Sequence, residues 1–587
     1  MTRRLLPPLA ALLLLLAAAP AAPNGSQPTA ASRTLAAILD EHWQHRLATQ
    51  PFLGLRHGRP VEALPDLSFA GAERDAAFAR SLLARLAAVD PAGLAHEEWL
   101  SREILLWESR LAVESLPFYW HQFLVTPYSW SFAASPLQFQ QLPLAEEADR
   151  ARYLKVLAEY PRQIEQARAH LRRQGELGVR LPREELDLVA PMFASYLRPP
   201  AEGPFALAPE RLAGVEPAAA AAFRARVEAL VAGEILPALT ALAGDLEAAR
   251  AGAPETVGLG QYPWGESAYR YLVRAHTTLD LAPEEIHALG LSEVERLTAR
   301  MAELRRELGV PGDTRAAHAT IRKDPRFLAK TPEEVGERLM RPVRAIEPLV
   351  GRWFGRQPRA PYGVRRLDPA LEGALTFGYY EQPTPTRPRG DYLYNASRLE
   401  ERPLVNAAAL IYHELVPGHH FQIALQHENQ ALPPSRREPG YTAFVEGWAE
   451  YASELGIEMG LYRDPWDLYG RLSMDLFLSS RLVVDTGMNL HRWPRQRAID
   501  YLLDHLLESP TQLATETLRY SVDMPGQALA YKMGSAKFWE LRRRAERALG
   551  PRFDLARFHD AVLGSGAMPL AVLEKHVDWW IEEERRR

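Results

Sequence analysis

Val405-Asn406-Ala407-Ala408-Ala409-Leu410-Ile411-Tyr412-His413-Glu414-Leu415-Val416-Pro417-Gly418-His419-His420 begins as a largely apolar helix former and ends in three imidazoles, one carboxylate and a helix breaker. An apolar run that leads directly into His413-Glu414 makes both side chains project from a buried helix. Two His with a Glu between them have the composition of helical zinc sites, in which His at i and i+4 share a face, bind one ion and leave the Glu as general base. Here the spacing is longer, because His419 stands six positions after His413 and His420 seven. An unbroken helix would put His420 on the right face but about 10 Å up the axis. Pro417 lacks the N–H that a helix needs and Gly418 tolerates almost any backbone angle, so the helix is expected to bulge there. The bulge brings His419 to the metal. His420 is then the alternative ligand, a transition-state donor or a buried polar contact.

Such a site takes a third protein ligand and keeps a fourth position for water. Phe444-Val445-Glu446-Gly447-Trp448-Ala449-Glu450-Tyr451 supplies it, on a helix expected to begin after Gly440, where Glu446, Glu450 and Glu454 share one face at i, i+4 spacing. The Glu-Gly-aromatic-Ala string resembles the third-ligand helix of aminopeptidase N-type zinc enzymes. That likeness makes Glu446 the ligand and Glu450 the partner that orients a ligating His. A solvated acidic stripe is the plainer alternative.

Outward from this centre the texture is helical. From Arg33 to Arg352, apolar residues recur three or four apart, which predicts long helices over Ala145–Gln174, Pro217–Ala251 and Pro283–Leu308, with kinks at Pro161 and Pro237. Thr331-Pro332-Glu333-Glu334 reads as a helix start, Thr331 capping and Glu334 reaching back to the cap, with the helix running to about Trp353. Between Arg356 and Glu400 the composition turns to Pro, Gly, Tyr and Thr, and Leu375–Tyr380 and Asp391–Asn395 read as short strands. The fold class is therefore mainly α, with a small β element just before the metal-binding helix. We divide the chain into a signal peptide over 1–22, a helical region over 23–355 and a catalytic region over 356–587, the last boundary being equally compatible with one large domain.

Composition narrows the function. Of 587 residues, 47% are apolar and 24% charged, an ordinary globular mixture. A net charge of −5 without a basic run argues against nucleic acid as partner. Arg3-Arg4, the apolar stretch Leu5 to Ala19 and the small residues up to Ala22 have the form of a secretory leader, too short to span a bilayer, so export without stable membrane insertion is expected. There is no Cys, which removes disulfides, thiol catalysis and lipidation at a cleavage-site Cys.

Taken together, Pro283-Glu284-Glu285-Ile286-His287-Ala288-Leu289-Gly290, the strand ending at Asn395, the His413 to Gln422 segment, Glu446-Gly447-Trp448-Ala449-Glu450-Tyr451 and Pro525-Gly526-Gln527-Ala528-Leu529-Ala530-Tyr531 resemble the bacterial family of unknown function numbered 885 over most of the mature chain. That family is grouped with the zincin-like peptidases, so the resemblance implies a metallopeptidase fold and leaves the function to be argued from the site. The expected chemistry uses one Zn2+ held by His413, His419 and Glu446, with Glu414 as general base. Tyr531, Tyr520 and His491 are candidate oxyanion donors. Arg481 either pairs with Asp485 as structure or clamps a peptide carboxylate. Tyr394 and Asn395, on the strand before the metal helix, offer an edge for an extended peptide. Short peptides are the expected substrates, cut by an oligopeptidase or carboxypeptidase. A zinc hydrolase of a non-peptide amide or ester, or a catalytically silent metal- or peptide-binding protein, are the rival readings. The sequence does not address oligomeric state.

Overall fold

The computed structural model describes residues 28–129, 135–372, 378–384, 387–438 and 440–587. The leader-like segment 1–22, and Leu375 to Phe377 of the first expected strand, lie outside them. The chain is 70% helical with one small sheet.

The long helices of the N-terminal half form where the period predicts them. Glu147–Glu176 runs unbroken through Pro161. Pro237 is accommodated differently from a kink: one π turn, Val231–Ile235, joins Pro217–Leu230 to Leu236–Ala249, so the proline falls in the first turn of the second helix, where its missing N–H costs little. By length and composition Pro217–Gly252 could cross a membrane, but Phe223, Val227, Ile235, Leu239 and Leu242 bury one face of it in the protein core. Thr331 Oγ1 accepts from the Glu334 amide at 3.2 Å, while the Glu334 carboxylate reaches one residue past the cap, to the Lys330 N–H at 2.7 Å. That helix ends at Ile346, and a tight turn at Glu347–Leu349 carries the chain into Val350–Trp353.

Pro283–Glu307 (α1) then crosses the later helix Pro465–Asn489. A Cβ on Gly290 would stand 2.8 Å from Leu482 Cβ and 2.9 Å from Val483 Cγ2, so the Gly that ends the Pro283–Gly290 motif is there to let two helices touch.

The sheet has three strands: Tyr362–Arg366 (β1), Tyr379–Glu381 (β2) and Gly390–Tyr394 (β3). β3 lies in the middle, parallel to β1 and antiparallel to β2, and all five of its residues are buried. The sequence reading missed β1, whose Arg365 and Arg366 lean into solvent and hide the alternation.

Five helices complete the surroundings of the site: Ala407–Glu414 (α2), His419–Glu428 (α3), Thr442–Glu458 (α4), Pro465–Asn489 (α5) and Leu529–Leu549 (α6). The largest apolar cluster takes Tyr160, Leu239 and Val294 from before Arg356 and Leu482, Tyr520 and Leu529 from after it. A second gathers Leu100 with Trp448, Phe538 and Trp580.

Several imidazoles are buried in this core. Tyr451 donates its hydroxyl proton to His559 Nε2 at 2.8 Å while Nδ1 donates to the Trp353 carbonyl at 2.8 Å. Burial drives His559 down to about 3, and His170 and His318, also buried, to about 4. Because these folded values lie below the unfolded one of about 6.5, the unfolded chain binds more protons below that pH. Each group therefore lowers stability as pH falls from about 6.5 toward 4, by about 1.4 kcal/mol per pH unit. Urea unfolding of metal-free protein at stepped pH is expected to show this slope, and the His559→Gln variant a slope shallower by about one proton. Equal slopes in both proteins would refute the assignment.

Candidate metal centre

α2 ends at Glu414, and the chain then leaves helical geometry altogether: Leu415 has φ −112° and ψ −96°, Gly418 φ −79° and ψ −126°. This corrects the expected bulge. The segment is not one distorted helix but two helices joined by a four-residue reversal, in which the Val416–Pro417 peptide is cis. A Cβ on Gly418 would overlap the His413 carbonyl, so only glycine lets the chain fold back this closely on the helix it has just left. The Trp448 indole in α4 donates to the Pro417 carbonyl at 2.9 Å and fixes the reversal to the helix that carries Glu446.

The reversal does what a continuous helix could not. The His413 and His419 rings meet edge to face with centroids 4.6 Å apart. Glu446 Oε2 lies 3.4 Å from His413 Nε2 and 3.2 Å from His419 Nε2. One ligand atom from each of His413, His419 and Glu446 falls within 4.8 Å of the others, a group that could hold a metal ion.

Charge supports that reading. Glu450 Oε1 stands 2.7 Å from His413 Nδ1, which leaves Nε2 for the shared centre, and its Oε2 accepts from Arg471 at 2.7 Å. Arg471 also donates to Ser453 Oγ, and Ser453 to the Ala409 carbonyl of α2, so the orienting carboxylate is tied to the helix it serves. Burial alone would keep His413 neutral, yet Glu446, Glu450 and Glu414 pull it up to about 10. Burial also opposes ionisation of Glu450 and Glu446, but Arg471 and His413 hold the first down to about 2, and His419 and His413 hold the second well below the carboxylate range. Glu414 moves the other way: burial raises it, with the two imidazoles opposing and Glu446 and Glu450 adding to the rise. Three carboxylates thus face a single arginine and two imidazoles, and a dication meets that surplus with N and O donors of the right kind. The solvated-stripe alternative does not hold, since Glu450 is buried. Glu454, one turn further, leaves the group and accepts from the Trp539 indole at 2.6 Å.

The other sequence candidates divide. His420 is not brought to the group: its Nε2 donates to the Ala360 carbonyl at 3.0 Å and its Nδ1 accepts from the Tyr380 hydroxyl at 3.0 Å, so it is a buried polar contact that pins α3 to the sheet. Tyr531 feels the charge of the group. α4 and α6 cross at Gly447 and Gly534, where a Cβ on Gly447 would stand 2.5 Å from Gly534 Cα, and Tyr531 lies one turn before that crossing. After burial, the charge of Glu446 is the largest influence that raises its hydroxyl pKa. Tyr520 is engaged elsewhere, bonded to Arg481 and Glu516. His491 lies past the end of α5 with its ring against His287, 4.6 Å between centroids, and makes none of the contacts of the metal group.

Arg481 does not pair with Asp485. It donates to Glu516 at 3.1 Å, while Asp485 accepts from Tyr269 and from the Gly526 amide. Tyr394 and Asn395 are not an open edge, because β3 is flanked on both sides. The Tyr394 ring packs on Gly336, and Asn395 donates to the Glu372 carbonyl. Among the described residues the outer edges of the sheet belong to β1 and β2, and Tyr380 lies on β2. Burial pushes the Tyr380 hydroxyl up, with Arg387 opposing and Asp391 and then Glu414 adding to the rise. Tyr380 and Arg471 are the residues the sequence did not single out. Tyr380 stood in a recognised strand, whereas nothing near Arg471 in the sequence signals its partner.

No curated protein matches the chain. Among solved structures, it is similar to a candidate lipoprotein of Colwellia psychrerythraea, at 24% identity and TM-score 0.87, covering 94% of this chain and 100% of that one. It is also similar to a candidate lipoprotein of unknown function from Shewanella oneidensis, at 18% identity and TM-score 0.72, covering 93% and 99%. A carboxypeptidase of the M32 type from Deinococcus radiodurans R1 aligns at 11% identity and TM-score 0.32, over 88% and 92%. These likenesses concern the fold. The model of the bacterial proteins of unknown function DUF885 matches residues 48–577, and with that span the chain belongs to the DUF885 family.

Proposed function

We propose that the protein is an exported zinc-dependent peptidase acting on short peptides. The observation that carries this reading is the convergence of His413, His419 and Glu446 on one point, with Glu414 at the end of the same helix as His413. When bound, zinc acidifies a water molecule and polarises a substrate carbonyl. Glu414, whose carboxyl burial raises above the ordinary carboxylate range, takes the proton of the attacking water and passes it to the departing amine. The Tyr531 hydroxyl, held protonated by its surroundings, donates to the oxygen on which charge develops. Glu450 and Arg471 keep the His413 ring in place. Among the described residues β2 has no strand on its outer side, and its main-chain groups suit an extended peptide. The leader-like N-terminus and the two candidate lipoproteins of like fold support export.

Two measurements test this. Elemental analysis of zinc-loaded protein is expected to give one ion per chain, lost in His419→Ala and retained in His420→Ala; loss in the second variant and not the first would reverse the ligand assignment. Hydrolysis of a short-peptide library, read by mass spectrometry, is expected to stop on chelation and return with zinc. Glu414→Gln should keep the ion and lose about 10²–10⁴-fold in kcat/KM. Full activity in that variant would remove the general base from the mechanism.

A further inference from the structure

Across Tyr531 from the metal group lie two guanidinium groups that share one carboxylate. Arg481, on α5, is buried; its Nε donates to the Tyr520 hydroxyl at 2.7 Å and one terminal nitrogen to Glu516 Oε2 at 3.1 Å. Its guanidinium carbon stands 4.9 Å from the centre of the Tyr531 ring. Arg519 donates to Gln527 at 2.8 Å and stands 3.5 Å from Glu516 Oε1, while its Nε is buried with no partner. Its side chain keeps 16% exposure, against 6% for both Arg481 and Glu516, so Arg519 is the member that a ligand can reach.

Among the described residues Glu516 is the single carboxylate bonded to either arginine, and it also accepts from Tyr520. The other acids near by make no hydrogen bond to the pair: Asp485 accepts from Tyr269 and the Gly526 amide, and Asp485 and Asp523 meet Arg519, and Glu508 meets Arg481, through charge alone. Two guanidinium groups thus share one hydrogen-bonded carboxylate, and the buried Arg519 Nε–H has no acceptor, in a place where an unmet donor is costly. A bound anion would supply that acceptor.

The position of the unpaired Arg519 donor limits what that anion is. Tyr531 feels the charge of Glu446 on the metal side and meets both guanidinium groups on the other, Arg481 over its ring and Arg519 by a side-chain hydrogen bond. One tyrosine side chain separates the two, on the order of one to two extended residues. We infer that Arg519, with Arg481 behind it, receives the free α-carboxylate of a peptide whose scissile bond lies at the metal group, so that the enzyme removes residues from the C-terminal end. This inference rests on the peptidase reading and narrows it. The reaction is plain hydrolysis: water oxygen bonds to the carbonyl carbon, the C–N bond breaks, and the amine leaves with the proton carried by Glu414.

The test compares a tripeptide with its C-terminal amide on the zinc-loaded full chain. Turnover is followed by mass spectrometry on the wild type, and binding by calorimetry on Glu414→Gln. The free acid is expected to be cut from its C-terminal end with kcat/KM higher than the amide by on the order of 10- to 100-fold, as one or two charge-assisted hydrogen bonds supply. The ratio should fall toward one in Arg519→Gln and recover in part in Arg519→Lys, which also controls for folding. Equal cleavage of acid and amide by the wild type, or an undiminished preference in Arg519→Gln, would overturn the inference. If neither peptide is cut, the peptidase reading fails on its own. Calorimetry then decides the carboxylate receptor separately: an acid-over-amide preference lost in the Glu414→Gln, Arg519→Gln double variant sustains it, and no preference ends it.

Discussion

Three carboxylates held inside a protein with one arginine between them form the constraint around which the rest is arranged. Each of Glu414, Glu446 and Glu450 costs free energy to keep ionised away from water, and the cost is tolerable only where positive charge and hydrogen-bond donors converge on them. Arg471 answers one and the two imidazoles the others. The supporting bonds run backward from there: Arg471 to Ser453, Ser453 to Ala409, and so into the helix that presents His413. A site of this kind is an electrostatic balance first and a geometric arrangement second.

Backbone proximity makes the balance possible. Gly418 lets α3 start against the carbonyl end of α2, and Trp448 holds that reversal from α4. Gly447 and Gly534 bring α4 and α6 into direct backbone contact, and Glu446 and Tyr531 each stand within one turn of that crossing. The small sheet takes a supporting part: β3 anchors the centre, and β2 presents Tyr380 both to His420 and to the field of Glu414.

Much of this was legible in the amino-acid order, and what was not had physical reasons. Helical period gave the architecture, and the co-occurrence of His413-Glu414, His419 and Glu446 named the residues that the fold brings together, because each lies within a few positions of a strong local signal. The reversal after Glu414 was read as a bulge, since Pro417-Gly418 breaks a helix without stating how far the chain then turns. Arg481 and Asp485 stand at helical i, i+4 spacing and invited pairing, yet both have better partners more than thirty residues away in sequence, Glu516 and Gly526. Strand β3 looked like an edge because β1 carries exposed arginines in place of an alternating pattern. His491 and Asn395 stood in polar surroundings and turned out to serve their own neighbours. Local signals survive in sequence, and the choice of a distant partner does not.

The crossing of α4 and α6 also bears on heredity. A glycine codon changed at one base specifies another residue only by adding at least a Cβ, and at positions 447 and 534 that atom falls on the backbone of the facing helix. Neither position therefore has a missense neighbour one mutation away that leaves the helices where they are. Lineages that alter this crossing must move both helices together, and Glu446 and Tyr531 travel with them, so these two codons hold the spacing between the helix of Glu446 and the helix of Tyr531 across generations.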